Sequence, residues 1–579
     1  MKRLLYYMKS YRKESILGPF FKLLEASFEL FIPLVVARII DIGIAQADGN
    51  YVLGMGAVLF LLGAVGLASS VTAQYFAAKA AVGCGTQMRK ALFEHLNRLS
   101  YKEIDKIGTS ALITRITSDV NQVQTGVNLA LRLFLRSPFI VFGSMIMAFT
   151  IDVKAAFIFV GVIPVLFAIV FAIMGITLPL YRQAQGKLDR VLLHVRENLS
   201  GVRVIRAFNR QEDEKKDFSE DGKKLMHLQT FVGKISALLN PLTYAAINGA
   251  VVLLIWTGGK QVNEGILTQG QVVALVNYMS QILVELIKLA NLIVSITRSL
   301  ASLSRVNAVL DEKPGMKEGT KEEISFGKDV PCVEFRDVTF VYQEGAEAAL
   351  SHISFSVAQG ETIGVIGGTG SGKTTLVNLI PRFYDAAEGT VFVNGTDVKE
   401  YRFDALRRKI GIVPQKAVLF SGTIRSNLLW GRKDASEEEL YAALDTAQAR
   451  GIAEEKKEGL DAPVLQGGRN FSGGQRQRLT IARALVRNPE ILILDDSASA
   501  LDFATDARLR AALKKEKRAA VFVVSQRVAA VRQADRILVL DDGHAAGMGS
   551  HEELLETCSV YREICQSQLS KEEVRSNEA

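Results

Sequence analysis

Cysteine and histidine are scarce in this sequence of 579 residues, which holds four of the first and six of the second. Cys84, Cys332, Cys558 and Cys565 form no CxxC pair and show no metal-ligand spacing, which speaks against a thiolate metal site and for reduced thiols in a cytoplasm-facing protein. No apolar stretch with a small-residue cleavage site precedes the first long hydrophobic run, so no removable signal peptide is read and that run serves as its own address. Lys and Arg are nearly missing from the short connections, of which DIGIAQADGN, Asp41–Asn50, is an example.

Apolar residues are what the chain has in excess, at 49%. That is more than an ordinary soluble enzyme carries. A hydrocarbon core about 30 Å thick needs roughly 20 mostly apolar helical residues to cross it, and the first 310 positions hold six such runs: Ile16–Ile44, Val52–Ala78, Val127–Ile151, Val153–Leu178, Ile235–Gly258 and Val272–Ile296. The net charge of +8 divides unevenly: Met1–Leu310 carries 33 Lys and Arg against 20 Asp and Glu, or +13, and the remaining 36 against 41 give −5. The basic excess lies at the N-terminus and in the two long connections, so the positive-inside rule puts both termini and both long loops in the cytoplasm. The membrane accounts for the basic balance, and nucleic acid is not called for.

The opening MKRLLYYMKSY suits an amphipathic helix at the membrane surface. The connections Lys79–Thr125 and Pro179–Lys234 keep helical periodicity with few breakers, which predicts helical stalks that turn near Gly108 and Asn209. DEKPGMKEGTKEE, Asp311–Glu323, is a polar linker. Beyond it, strand-like runs (CVEFRDVTF, TIGVIGG, ILILDD, AAVFVVS, RILVLDDG) alternate with helical ones, an α/β pattern.

After the run Thr362–Ile366 comes GGTGSGKTT: Gly367, Gly368, Thr369, Gly370, Ser371, Gly372, Lys373, Thr374 and Thr375. Glycines let backbone amides turn toward phosphate oxygens, Lys373 supplies a cation for the β- and γ-phosphates, and Thr374 offers a hydroxyl to Mg²⁺. Asp495 closes the apolar ILIL as a metal-side carboxylate would, and Asp496 follows it.

Just before that strand stands NFSGGQRQRLTIARAL, Asn470–Leu485, and here the chain resembles the ATP-binding cassette (ABC) transporters. Phe471, Ser472, Gly473, Gly474 and Gln475 stand where the family signature LSGGQ stands. Tyr342 in TFVYQ falls where an aromatic residue stacks on adenine, and Gln415 in GIVPQ falls at the family's Q-loop. Ser499, Ala500, Leu501 and Asp502 match the D-loop, and HEELL after Gly549 matches the C-terminal pattern. In the membrane half, GTSALITRITSDVNQV and GVRVIRAFNRQEDEKKDF resemble the loops that present coupling helices. The resemblance implies a multidomain membrane protein: a six-helix α-helical transmembrane domain with long cytoplasmic extensions over residues 1–310, a linker over 311–330, an α/β P-loop nucleotide-binding domain over 331–570, and a polar tail over 571–579. It implies an exporter half, working as a pair in a bacterial cytoplasmic membrane, with each ATP between one cassette's P-loop and the other's signature. Thr374, Gln415 and Asp495 would hold Mg²⁺, and the partners would be a second half-transporter, membrane lipid and a small amphipathic substrate.

Two positions depart from the family pattern. The family usually has Glu after the strand-ending Asp and His in the switch loop; this chain has Asp496 and, in VFVVSQRV, Gln526. Asp is one methylene shorter than Glu, and a misplacement of about 1 Å costs on the order of a hundredfold. Gln526 hydrogen-bonds but carries neither proton nor positive charge, and no histidine stands in its place. The pattern resembles the degenerate subunit of heterodimeric exporters, whose partner supplies the competent site and borrows this chain's signature. A slow homodimer, or an ATP-gated membrane regulator without net transport, is the alternative.

The spans themselves carry charge. Glu25 and Glu29 lie four apart, as do Arg132 and Arg136, so each pair shares a helical face. Each such charge costs about 2.5 to 3.5 kcal/mol at a helix centre, which favours pairing across helices over an open polar path. Glu285 and Lys288 are spaced to satisfy each other within one helix.

Overall fold

The structure is a computed structural model that describes residues 2–322, 330–343, 345–497, 501–515 and 518–568. It divides into two compact units: Met1–Asn97 with Gly108–Glu312, and Arg98–Ile107 with Lys313–Ala579.

The described part of the first unit is helical throughout. Five helical stretches are long and apolar enough to cross a membrane: Gly49–Leu96, Thr109–Ile151, Val153–Ala207, Gln211–Asn263 and Gln269–Asp311. Gly49–Leu96, with 48 residues, is about 72 Å long at 1.5 Å per residue, so a crossing leaves a long stalk beyond the hydrocarbon. The fourth and fifth spans meet in a hairpin whose turn is Asn209, at φ +56°, between Val153–Ala207 and Gln211–Ala237. Gly108, at φ +83°, ends the short helix Tyr101–Ile107, which follows a break after Leu96 that helical periodicity did not reveal.

The sixth expected span lies in the helix Arg12–Arg38, which carries Lys22, Glu25 and Glu29 midway. Those charges set it apart from the five apolar helices, and they are paired. The Arg136 guanidinium reaches Glu29 at 2.7 Å and Glu285 at 2.6 Å, Ser137 donates to Glu285 at 2.8 Å, and Lys288 sits 2.8 Å from Glu285. Lys22 meets Glu25 at 2.5 Å. Three helices are therefore tied through one arginine. Arg132 stays out of this network, and its Nε has no partner among the described residues. Around the network Ala26, Leu30, Ile140, Phe159, Ile247 and Ile282 form the apolar centre of the unit. Of the aromatics in the spans, Tyr278 is buried and donates its hydroxyl to the Leu30 carbonyl, whereas Phe134 and Tyr244 are exposed.

The described part of the second unit is built on two large sheets, with a small two-stranded one, Gly422–Thr423 and Pro463–Val464, beside them in the chain. A six-stranded sheet runs in the order His544–Gly549, Arg536–Asp541, Thr362–Gly367, Ala520–Val524, Ile491–Asp495, Ile410–Val413, parallel except for the first strand. Its central strands are buried on both faces, which is why they read as unbroken apolar runs. An antiparallel sheet orders Leu350–Val357, Val333–Phe340, Glu388–Val393 and Thr396–Asp397. Side chains of both sheets, Phe335, Val357, Val365, Val391 and Phe522 among them, share one core with Leu376 of the helix Lys373–Leu379. A second core under the helices holds Leu440, Phe471, Leu479, Ile481 and Leu492.

Candidate active site

Four segments leave the C-terminal edge of the parallel sheet side by side, the place where open α/β sheets bind ligands. The register pairs Val365 with Val524, Val524 with Asp495, and Val413 with Leu494. Consequently the loop after Gly367, the segment Ser525–Gln526, the pair Asp495–Asp496 and Gln415 all emerge at one level. They line a cavity of about 330 Å³, with Tyr342 from the end of the antiparallel sheet as its aromatic wall.

The glycine-rich loop is shaped by its own backbone. Gly370 and Gly372 stand at φ +86° and +91°, and a Cβ on Gly372 would come within 2.6 Å of the Ala349 carbonyl. Only glycine turns there without strain. Lys373 begins the following helix and folds back over the loop: its Nζ donates to the carbonyls of Gly367 at 3.0 Å and Gly368 at 2.5 Å, and to Ser371 Oγ at 3.3 Å. Burial lowers the lysine's pKa, while Asp496 and Asp495 pull it back up. Thr374 Oγ1 donates to Asp495 Oδ1 at 3.0 Å. Asp495 is raised chiefly by burial and further by Asp496, against the Thr374 hydroxyl and the Lys373 charge. Two adjacent carboxylates beside a hydroxyl make an all-oxygen donor set that suits a hard divalent cation.

Asp496 leaves the strand at φ +45°, in the left-handed region that Asp tolerates better than most residues. Its Oδ2 accepts from Gln415 Nε2 at 3.4 Å. Across the cavity, Gln526 Oε1 accepts from Thr369 Oγ1 at 3.4 Å. Tyr342 hydrogen-bonds Thr375 at 2.9 Å and meets Tyr384 edge-on, ring centroids 5.5 Å apart. The Tyr384 hydroxyl donates to Asp105 Oδ2 at 2.8 Å, so the helix Tyr101–Ile107 touches the aromatic group that flanks the cavity.

Of the residues picked from the sequence, Thr369, Gly370, Gly372 and Thr375 line the cavity with Tyr342, Lys373, Thr374, Gln415, Asp495, Asp496 and Gln526. Gly367, Gly368 and Ser371 instead hold the lysine. The FSGGQ run lies outside this cavity. Ser472 N-caps the 13-residue helix Gly473–Leu485 in a capping box with Gln475. Ser472 and Gly473 are exposed at this helix start, the positive end of the helix dipole, while Phe471 is buried in the second core. Ser499 and Ala500 lie outside the described residues; Leu501 is buried, and Asp502 accepts from Thr505 N at 2.9 Å to start the next helix. Ala349, Val524 and Ser525 also line the cavity and were not picked. Their signal is weak, because small and apolar residues beside a strand end look like core.

Residues 15–286 match the ABC transporter transmembrane region, and residues 350–499 match the ABC transporter family. The chain belongs to the ABC transporters. It is 35% identical over 573 residues to an uncharacterized ABC transporter ATP-binding protein, YfiB, of Bacillus subtilis, covering 99% of each chain. It is 34% identical over 475 residues to an ATP-dependent lipid A-core flippase of Desulfotalea psychrophila, covering 82% of each. A solved bacterial Atm1-family ABC exporter with ATP bound has the same fold, with a TM-score of 0.78 at 23% identity over 97% of this chain and 99% of that one. This ABC transporter is thus a multi-pass membrane protein with a cytoplasmic cassette, and its cassette makes it an ATP-binding transport ATPase. ABC exporters work as dimers, and one membrane domain with one cassette is half of such a unit.

Proposed function

We propose that this chain is the degenerate half of a heterodimeric exporter that moves amphipathic compounds, drugs or lipids outward at the expense of ATP. The observations that carry the reading are the short carboxylate Asp496 and the uncharged Gln526 in an otherwise complete cavity, together with a division of the chemistry that calls for a second chain. One cavity gathers the P-loop, Asp495, Asp496, Gln415 and Gln526, while the signature helix start opens elsewhere. A signature that does not face its own P-loop suits a second chain's nucleotide.

In this reading Tyr342 stacks on adenine, the amides of Thr369 to Thr375 take the phosphates, and Lys373 leaves its loop carbonyls for the β- and γ-phosphates. Thr374, Asp495 and Gln415 would hold Mg²⁺, which when bound would neutralise phosphate charge. Asp496 is the short carboxylate, turned to Gln415, and Gln526 offers the γ-phosphate a hydrogen bond without charge. Binding parts are complete and the proton-handling parts are reduced, so this site holds ATP and turns it over slowly. Ser472 and Gly473 serve the partner's site. Within the cassette's own compact unit, Asp105 of the helix Tyr101–Ile107 accepts from Tyr384, which flanks the cavity. The named export relatives, the flippase and a putative multidrug export protein of Bacillus subtilis at 32% identity, support a lipid or drug-like cargo.

The test compares two substitutions in the assembled transporter. Ser472→Arg blocks the signature that serves the competent site and is expected to lower ATP turnover by about a hundredfold, the scale of losing a preorganised donor. Asp496→Asn is expected to leave turnover little changed. If Asp496→Asn stops turnover as well, Asp496 is a working catalyst and the degenerate reading is wrong.

A further inference from the structure

The last described helix, Ser559–Gln568, is anchored on one face. Tyr561 and Cys565 are fully buried against Ile366, Val528, Val531, Ile537 and Val539, and the Tyr561 hydroxyl meets His551 Nδ1 at 2.7 Å. Positions 561, 565 and 568 share that face. Gln568 therefore ends the anchored row, and its exposed carboxamide extends to the segment that follows the strand Ala520–Val524. Its Nε2 donates to the Gln526 carbonyl at 2.7 Å, and its Oε1 accepts from the Val528 amide at 2.9 Å. A carbonyl at one residue and an N–H two residues on are the pair that a neighbouring strand would bond. The side chain stands in for one strand residue, and its orientation is fixed, because reversing it would set donor against donor and acceptor against acceptor.

We propose that Gln568 is a positioning residue for nucleotide binding: by bridging the backbone on either side of Arg527 it holds Gln526 at the cavity, facing Thr369. Gln526 is itself exposed, at the end of a strand, and the bridge fixes its main chain from behind. This last described helix thereby reaches the nucleotide site without lining it. This inference rests on the reading of Gln526 as the group that meets the γ-phosphate.

The test uses the full-length chain in its native assembly in lipid discs, with MgATP and MgADP as probes of this chain's own site by photoaffinity competition. Gln568→Ala removes an exposed side chain and no core contact. It is expected to lower the ratio of MgATP to MgADP affinity by about fivefold, the weight of one hydrogen bond, with MgADP affinity unchanged. Gln568→Glu, which keeps the acceptor for Val528 but loses the donor to Gln526, should show the same direction, and the Val528 amide should exchange its hydrogen faster in Gln568→Ala. Gln526→Ala should give a similar loss, and the double variant no more than either alone. A Gln568→Ala protein with an unchanged ratio, beside a Gln526→Ala protein with a lowered one, overturns the clamp. Parallel loss of both affinities in Gln568→Ala and Gln568→Glu overturns it too, as damage to the fold. An unchanged ratio in Gln526→Ala overturns the reading of the switch position, and the clamp's role falls with it.

Discussion

In the proposed reading, Asp496 and Gln526 set how this cassette uses ATP, and both line the cavity beside Lys373, Thr374 and Asp495. Asp496 sits where a longer carboxylate would project into the cavity, and its oxygen rests 3.4 Å from Gln415. Gln526 sits 3.4 Å from Thr369. Asp496→Glu together with Gln526→His should raise hydrolysis at this site by about ten- to a hundredfold, since about 1 Å of misplacement is worth that much; single-turnover hydrolysis with the opposite site blocked measures it. No gain would mean that something other than these two side chains limits the site. These residues were legible in the sequence because their chemistry is local: a glycine loop, a strand-ending acid pair and a signature each carry their own spacing. Gln568 was not legible, because a glutamine at the end of a helix acquires meaning only once the fold brings it to Gln526.

At the scale of elements, the charges in the first, third and sixth membrane helices act as fasteners. Arg136 is buried between Glu29 and Glu285, and Lys288 and Ser137 complete the coordination of Glu285. Arg136→Leu should destabilise the membrane unit by about 3 kcal/mol, because a buried carboxylate loses its partner, and adding Glu285→Leu should recover part of that loss. Thermal unfolding in lipid discs reports both. Equal stability of Arg136→Leu and wild type would mean the network is wet and free to bind something else. Pairing across helices was to be expected from the cost of an isolated charge, but not which helices would pair, since partner choice depends on packing. The apolar runs identified the spans, and the charged middle of Arg12–Arg38 is the reason that helix is less apolar than the other five. In the cassette the longer buried parallel strands were readable as apolar runs, and Ile410–Val413 was not, because four residues are too few to show a period. Leu350–Val357 carried a signal that was passed over: Ile353, Phe355 and Val357 alternate with Ser354 and Ser356, the pattern of a half-buried strand.

On the scale of the whole molecule, the chain is half a machine. Its cavity holds a P-loop without a signature, and its exposed signature lies outside that cavity. The two-part build was readable from the uneven charge and hydrophobicity. The assignment of Tyr101–Ile107 to the same compact unit as the cassette was not, because that short helix looks like the rest of the stalk until Tyr384 and Asp105 meet. The central claim is that the other half is a different protein. The mass of the intact complex, drawn from native membranes through a tag on this chain, tests it most directly. The account predicts one copy of this chain with one half-transporter of different mass, whose sequence has Glu and His at the two positions where this chain has Asp496 and Gln526. Two copies of this chain and nothing else would contradict it, and would leave Asp496 as the working carboxylate at both sites.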